Sequence, residues 1–179
     1  MLRTYIKDTM NRIGQEVTIF GWVAVRRDHG KLIFLDIRDA TGLVQAVVNP
    51  QIAPQAHETA QKLRNEFVIS VAGRVNKRPE KLINPNLPTG EIEIEVRDLK
   101  IVSEAKTPPF EIADSKKVSE ELRLKYRYLD LRSQRMAKNL RLRHQVTSLT
   151  RQHLNQNGFI EIETPLLTKT SPEGARDFL

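Results

Sequence analysis

Apolar and polar residues alternate in three short runs between positions 17 and 48, separated by the turn signals His29-Gly30 and Thr41-Gly42. Alternation predicts β-strands, because successive side chains of a strand point to opposite faces of a sheet. The middle run shows the pattern most clearly, with an apolar set of Ile33, Leu35 and Ile37. We therefore expect three consecutive strands that share one apolar face.

The first of these runs, residues 17–25, is expected to bury five alternating positions: Val17, Ile19, Gly21, Val23 and Val25. Residues 1–15 before it predict a short helix or an extended arm. Asn49-Pro50 ends the third run, because proline cannot donate a hydrogen bond to a central strand ladder.

The hydrophobic period changes after Pro50. Within and just after residues 53–65 the apolar positions follow helical spacing, which predicts an amphipathic helix; they are Ala56, Ala60, Leu63 and Phe67. Alternation returns at 67–75, and strictly at 91–96, where isoleucine and valine face inward and glutamates outward. Residues 76–90 between these two runs form a basic loop. Three strands, a helix and two strands are the connectivity of an OB-fold, a five-stranded barrel that commonly binds single-stranded nucleic acid.

The chain changes character after residue 103. Thr107-Pro108-Pro109 lies in a stretch without periodicity, and we expect a linker over 104–118. Ser119 begins a short helix, and Ser133 caps a long one that ends near Asn157. The long helix carries a stripe of apolar residues and is followed by a glycine suited to a helix stop; these are Leu142, Val146, Leu149 and Gly158. Residues 159–163 predict a strand. We expect residues 119–179 to be the start of a second domain, and the chain to be a fragment of a longer protein.

Composition narrows the class of protein. The 179 residues contain no cysteine, so disulfides and thiolate metal sites are excluded. No apolar run reaches the length of a membrane span, and no signal peptide is visible, so a cytoplasmic protein is expected. The net charge of +7 favours a polyanionic partner, of which nucleic acid is the commonest.

Phe34 stands out on the predicted barrel because it alternates with the charged set, Asp36 and Arg38, rather than with the apolar set. Arg26 and Arg27 lie at the end of the preceding strand. An aromatic ring on a polar strand face beside cations is what stacking on an unpaired base requires.

Three segments resemble a known family. The long helix followed by Ile162-Glu163-Thr164-Pro165-Leu166-Leu167 is similar to motif 1 of the class II aminoacyl-tRNA synthetases. An OB-fold before it, together with residues 125–132 (KYRYLDLR), is similar to the aspartyl, asparaginyl and lysyl subgroup. Residues 170–179 (TSPEGARDFL) resemble the flipping loop of the bacterial aspartyl enzymes.

The resemblance implies an α+β class II catalytic domain after the barrel and an aspartate–tRNA ligase activity. Such enzymes use ATP and Mg²⁺ to form aspartyl-adenylate from L-aspartate and then transfer the aspartyl group to tRNA(Asp). The family is a homodimer through motif 1, which implies that Pro165 lies at a subunit interface. The ATP-binding motifs lie beyond Leu179, so we expect the 179 residues alone to be inactive.

The resemblance also implies roles for individual residues. Glu173 matches the residue that holds the substrate ammonium group, while Arg176 and Asp177 of the same loop could equally pair with each other. Phe34 and Gln45 match the residues that stack on and read the central anticodon base, and Glu93 matches the reader of the first base. Further anticodon contacts are implied for Arg26, Arg27, Arg78 and Asn84.

Two positions depart from the pattern of enzymes that are strict for tRNA(Asp): His29 replaces a leucine, and Leu82, which is followed in its loop by Leu87, replaces an asparagine. The two tRNAs, for aspartate and asparagine, differ at the third anticodon base, and leucine has neither donor nor acceptor with which to read a base edge. These residues resemble the branch that charges both tRNAs. The alternatives are a strictly discriminating aspartyl enzyme, an asparaginyl enzyme of the subgroup, and a free-standing OB-fold module without enzyme activity.

Overall fold

The structure is a computed structural model that describes residues 2–165. The chain forms two compact units that divide between Pro109 and Phe110. Within the described residues, no helix combines the length and the apolar character needed to cross a bilayer.

The first unit is a closed barrel of five strands, as the alternation predicts. The strands are β1 (Glu16–His29), β2 (Leu32–Arg38), β3 (Leu43–Val48), β4 (Val68–Lys77) and β5 (Ile92–Ser103). Their order around the barrel is β1-β2-β3-β5-β4, and β1 also pairs with β4, which closes the sheet. Only the β3–β5 pair is parallel among these neighbours. This is the predicted OB-fold topology.

The barrel core contains the inward residues of every strand. Ile33, Leu35 and Ile37 are at most 3% exposed. Helix α1 (Pro54–Gln61) is shorter than predicted, yet the whole predicted stripe is buried, because Leu63 and Phe67 continue into the core after the helix ends. A 3₁₀ helix, Ile6–Arg12, precedes β1, and Asp39 accepts a hydrogen bond from the backbone N–H of Ile6 at 3.0 Å.

The prediction that Val25 faces the core is wrong. β1 carries a β-bulge between Val23 and Val25, and an extra residue in one strand reverses the alternation beyond it. Val23 is buried, whereas Val25 is 40% exposed and pairs with the outward-facing Asp36. The bulge therefore decides which side chains at the end of β1 face outward.

The second unit has a small core in which Phe110 and Ile112 pack with Leu129. Residues 110–118, expected to be a linker, thus contribute to this unit and include a 3₁₀ turn, Ser115–Lys117. Three helices follow: α2 (Glu120–Lys125), α3 (Arg127–Asp130) and α4 (Gln134–Gln156).

The predicted caps of the second unit are confirmed. The hydroxyls of Ser119 and Ser133 accept backbone N–H groups from Leu122 and Met136, and Gly158 has φ +80° after α4. The predicted strand over 159–163 is wrong: these residues are exposed and without regular structure. A strand is stabilised by its hydrogen-bonded neighbour, and no strand of the described residues pairs with this segment.

Candidate nucleic-acid interface

The outward face of the barrel brings together side chains from four strands. Arg27 of β1 lies opposite Phe34 of β2, Phe34 opposite Val47 of β3, and Val47 beside Glu95 of β5. Phe34 is half-buried in this row, with one part of its ring open to solvent. The position of Phe34 outside the core is therefore as the alternation predicts.

A second row runs beside the first. Asp36, two residues from Phe34 on β2, lies opposite Gln45 of β3. Gln45 and Glu93 directly precede the paired residues Ala46 and Ile94, which places them on adjacent strands at the same level. Gln45 is diagonal to Phe34, a separation that long and aromatic side chains can span. The structure thus places Phe34, Gln45 and Glu93 on neighbouring strands of one face.

His29 contacts the ring of Phe34. The two rings meet edge to face, with centroids 6.5 Å apart and an interplanar angle of 68°. This is a preferred geometry for aromatic pairs. His29 is the last residue of β1 and directly precedes the turn to β2, so the end of this strand provides one wall beside the half-buried ring.

Arg26 and Arg27 lie on opposite faces of β1. Arg27 pairs with Phe34 outside, whereas Arg26 pairs with Leu35 of the inward set. Arg26 donates to the backbone carbonyl of Gln61 at 2.9 Å, at the C-terminus of α1, and forms an ion pair with Asp28 at 2.7 Å. The structure therefore does not bring Arg26 together with the outward residues. Strand alternation alone indicates that two adjacent arginines point to opposite faces.

Arg27 is bound by a carboxylate that had no role in the sequence-based proposal. Nη2 of Arg27 donates to Asp36 Oδ1 at 2.8 Å. The Asp36 side chain is 11% exposed and that of Arg27 is 53% exposed. Burial raises the pKa of Asp36, and the nearby cations Arg27 and Arg78 oppose that rise. The sequence carries a signal for this pair, because Asp36 alternates with Phe34 on the outward side of β2 and Arg27 lies on the preceding strand.

Arg78 is buried at the end of β4, with a residue exposure of 7%. Its Nε lies 3.7 Å from Glu93 Oε2, and Nη1 donates to the carbonyl of Leu82 at 3.4 Å. Nε and Nη2 have no hydrogen-bond partner among the described residues. Burial lowers the pKa of Arg78 and raises that of Glu93, while their mutual attraction opposes both shifts. Unpaired buried donors can donate hydrogen bonds to a polar ligand group, and the half-buried carboxylate beside them can accept one.

The charge of this face differs from the basic patch that the overall net charge suggests. Arg27 and Arg78 are balanced by Asp36 and Glu93, and Glu95 pairs with Arg97 at 2.6 Å. A balanced set of donors and acceptors favours recognition of base edges over attraction to phosphate alone.

The loop after β4 borders this face. It contains a 3₁₀ turn, Glu80–Leu82, and Thr89 Oγ1 donates to the carbonyl of Leu43 on β3 at 2.5 Å. Leu82 is 63% exposed and Leu87 is half-buried. Asn84 Oδ1 accepts the backbone N–H of Asn86 at 3.0 Å, so its side chain shapes the loop.

A glycine closes this loop. A Cβ on Gly90 would lie 1.8 Å from the carbonyl oxygen of Asn84. No other residue type fits that approach without moving the backbone, so the position of the loop depends on Gly90.

The remaining proposed residues lie elsewhere. Pro165 is exposed, and Glu173 lies outside the described residues, as do Arg176 and Asp177. Across positions 2–165, no three His, Asp or Glu side chains form a group able to hold a metal ion, so Mg²⁺ is assigned to none of them.

Two family models match the chain. Residues 17–102 match a model described as OB-fold nucleic acid binding domain, and residues 119–179 match tRNA synthetases class II (D, K and N). The chain therefore carries an OB-fold nucleic-acid-binding domain, followed by a segment of a class II tRNA synthetase domain.

Individual relatives narrow this class. The chain is 57% identical over 173 residues to the aspartate–tRNA(Asp/Asn) ligase of Halothermothrix orenii, a match that covers 97% of this chain and 29% of that enzyme. It is 55% identical to the aspartate–tRNA(Asp/Asn) ligase of a Geobacillus species, covering 99% and 30%. The chain thus spans under a third of the curated relatives it matches.

Solved structures agree on the fold. The aspartyl-tRNA synthetase of Entamoeba histolytica superposes with a TM-score of 0.84 at 26% identity, covering 97% of this chain and 41% of that one. An asparaginyl-tRNA synthetase of Pyrococcus horikoshii, complexed with asparaginyl-adenylate, gives a TM-score of 0.83 at 29% identity, with coverage of 98% and 39%.

Proposed function

We propose that the outward face of the barrel binds the anticodon of tRNA(Asp) and of tRNA(Asn). The whole protein would then be a ligase that attaches L-aspartate to both. The observation that carries the proposal is the cluster of Phe34, Gln45 and Glu93 on three adjacent strands, with Arg27 and Arg78 beside them. An aromatic platform with donors and acceptors around it suits an unstacked, single-stranded base.

Each residue supplies a distinct interaction. Phe34 offers a ring face on which the central base stacks, with His29 against its edge. Gln45 has both a donor and an acceptor and can pair with the mixed edge of uracil. Glu93 accepts from a guanine at the first position, and the unpaired donors of Arg78 lie beside it. Arg27 contacts phosphate or base at the exposed end of the row.

Acceptance of both tRNAs is proposed to come from the surfaces that border this cluster. Leu82 is exposed in the loop, and Leu87 lies near it in sequence; neither side chain has a polar atom. A site built to hydrogen-bond one base rejects another strongly, and an apolar site does not. The names of the relatives, aspartate–tRNA(Asp/Asn) ligases, support this proposal. Asn84 contributes through the shape of the loop.

The chemistry proposed for the whole protein proceeds in two steps. The carboxylate of aspartate displaces pyrophosphate from ATP to give aspartyl-adenylate, with Mg²⁺ accompanying ATP. A ribose hydroxyl of the terminal adenosine of tRNA then takes the aspartyl group, and AMP leaves. Glu173 is proposed to hold the substrate ammonium by a charge-assisted hydrogen bond. We also propose a homodimer in which α4 and Pro165 lie at the interface, and a cytoplasmic location.

The test is a charging assay of the full-length protein with transcripts of both tRNAs and with each anticodon base replaced in turn. We expect kcat/KM for the two tRNAs to agree within about tenfold, and substitution of the central base to lower it by about 10²-fold. A hundredfold preference for tRNA(Asp) would overturn the proposed dual specificity. Charging that does not depend on the anticodon would overturn the proposed role of the barrel face.

Leu82→Asn provides a sharper probe of specificity. Asparagine can read a base edge that leucine cannot, so the variant should favour tRNA(Asp) over tRNA(Asn) more strongly than the wild type. Lys81→Asn, at an exposed neighbouring position, is the matched control and should leave the ratio unchanged.

A further inference from the structure

We propose that Asp36 is a positioning residue for anticodon recognition: its carboxylate holds Arg27 beside Phe34. This inference rests on the proposed function and adds a residue to it. Asp36 itself contacts no base in this proposal and acts through Arg27.

Asp36 lies at the centre of the outward face. On β2 it is two residues from Phe34 on the same side of the strand, and it lies opposite Gln45 on β3. On its other side it faces β1, where Val25 is its register partner and Arg27 reaches back to it. A change at Asp36 therefore affects both rows of the proposed site.

Arg27 depends on this one carboxylate. In the part of the chain that the structure describes, its side chain makes one hydrogen bond, to Asp36 at 2.8 Å. The side chain is more than half exposed, so without Asp36 it would sample many rotamers. Binding of tRNA would then cost the conformational entropy of this side chain. Fixing such a side chain in advance lowers the entropy cost of recognition.

The barrel itself does not require this charge. The inward face is completed by apolar residues, among them Leu35 and Ile37, which flank Asp36 in the sequence. Burial of a carboxylate is unfavourable unless it is paired, and burial raises the pKa of Asp36. A buried carboxylate on the ligand-binding side, paired with the half-exposed Arg27, is explained by a role in recognition.

The structure offers a matched control in Glu66. Its carboxylate accepts two hydrogen bonds from Arg38 Nη2, at 2.9 and 3.0 Å, and its side chain is 11% exposed, the same as Asp36. Glu66 follows α1 and pairs with β2 residue Arg38, outside the proposed cluster. Glu66→Gln and Asp36→Asn therefore remove the same kind of charge from equally buried sites.

The test measures tRNA charging by the full-length protein with four variants: Asp36→Asn, Arg27→Ala, their combination, and Glu66→Gln. We expect Asp36→Asn to raise the KM for tRNA severalfold, no more than Arg27→Ala does, and to leave kcat within about twofold. Pyrophosphate exchange with aspartate and ATP, a reaction without tRNA, checks that the catalytic part of each variant is intact, and unfolding of the 179-residue chain followed by Trp22 fluorescence checks that its barrel is folded.

The combined variant tests whether Asp36 affects the KM for tRNA through Arg27. Because Asp36 acts through Arg27, the double variant should raise KM little beyond Arg27→Ala, rather than by the product of the two effects. Asp36→Glu, which restores the charge, should recover part of the loss.

Two outcomes would overturn the proposal. In one, Asp36→Asn changes the tRNA KM no more than Glu66→Gln does; in the other, the effects of Asp36→Asn and Arg27→Ala multiply. Failure of the proposed function gives a different result, because the wild type itself would then be insensitive to replacement of anticodon bases.

Discussion

The barrel and the long helix of this chain use apolar residues in opposite ways. In the barrel every inward strand position is covered, and Leu35, Val44 and Ile94 are fully buried. In the second unit, α4 presents Leu142, Val146 and Leu149, each more than half exposed. The outward face of the barrel instead presents the half-buried ring of Phe34 among paired charges.

The difference has a physical origin. A closed sheet satisfies its own backbone hydrogen bonds and encloses a core, so its outer face is free to vary for recognition. A single amphipathic helix satisfies its hydrogen bonds, yet it can cover its apolar stripe only against another element. Among the described residues, Phe159 and Ile160 adjoin α4, and both are exposed.

The most direct test of this difference is the same leucine-to-alanine change in each of the two regions. Leu35→Ala in the barrel should cost about 2–5 kcal/mol of unfolding free energy, because it leaves a cavity in a close-packed core. Leu149→Ala on α4 should change stability by less than about 0.5 kcal/mol. Denaturant unfolding of the 179-residue chain measures both. Trp22, the single tryptophan, lies in β1, so its fluorescence reports the barrel alone.

Circular dichroism supplies the second observable, since α4 dominates the helical signal. Equal destabilisation by the two leucine variants would contradict the contrast, because it would mean that the α4 stripe is packed as tightly as the barrel core.

The next test asks whether the exposed ring of the barrel serves binding rather than stability. Phe34→Ala should raise the KM of the full-length protein for tRNA by about 10–100-fold, since stacking contributes about 1–3 kcal/mol per base. The midpoint of barrel unfolding should change little, because the ring lies outside the core. Phe20→Ala is the control, because Phe20 of β1 is half-buried, as Phe34 of β2 is. An equal loss of tRNA binding in both variants would remove Phe34 from the proposed site.

A smaller effect separates the two arginines at the end of β1. Arg27→Ala should weaken tRNA binding severalfold and lower the salt dependence of binding by about one unit of slope, as loss of one phosphate contact does. Arg26→Ala should instead destabilise the barrel by about 1–2 kcal/mol, because its guanidinium donates to carbonyls at the C-terminus of α1. Weaker tRNA binding in Arg26→Ala with unchanged stability would mean that the face assignment is wrong.

The smallest expected effect is a dependence on pH. Burial raises the pKa of Asp36 above its ordinary value of 3.8, so the folded barrel holds this proton more tightly than the unfolded chain. Above the raised pKa the ionised carboxylate therefore weakens folding, and the weakening is relieved as the pH falls from that value towards 3.8.

Thermal unfolding of the wild type and of Asp36→Asn between neutral pH and pH 4 measures this effect. The Tm of the wild type should rise relative to that of the variant as the pH falls, because protonation of Asp36 removes the unfavourable burial of its charge. If the Tm of the wild type instead fell relative to that of Asp36→Asn as the pH decreased, the raised pKa assigned to Asp36 would be wrong.

Local patterns predicted much of this molecule. Alternation and turn residues located all five strands, and serine and glycine signals located the ends of α4. These features depend on residues near one another in the sequence, so they can be read without a tertiary structure. The strand predicted over 159–163 failed for the opposite reason, because a strand requires a partner that its own residues do not specify.

The sequence by itself determined the barrel, its polar outer face with Phe34 among charges, and the family to which the chain is related. Tertiary structure alone decided how that face is assembled. The bulge at Val23–Val25 turned Val25 outward, and packing against α1 fixed the guanidinium of Arg26 at the end of that helix. The register of β2 with β1 and β3 set Asp36 between Arg27 and Gln45. These arrangements arise from contacts between strands, which no single stretch of the chain encodes.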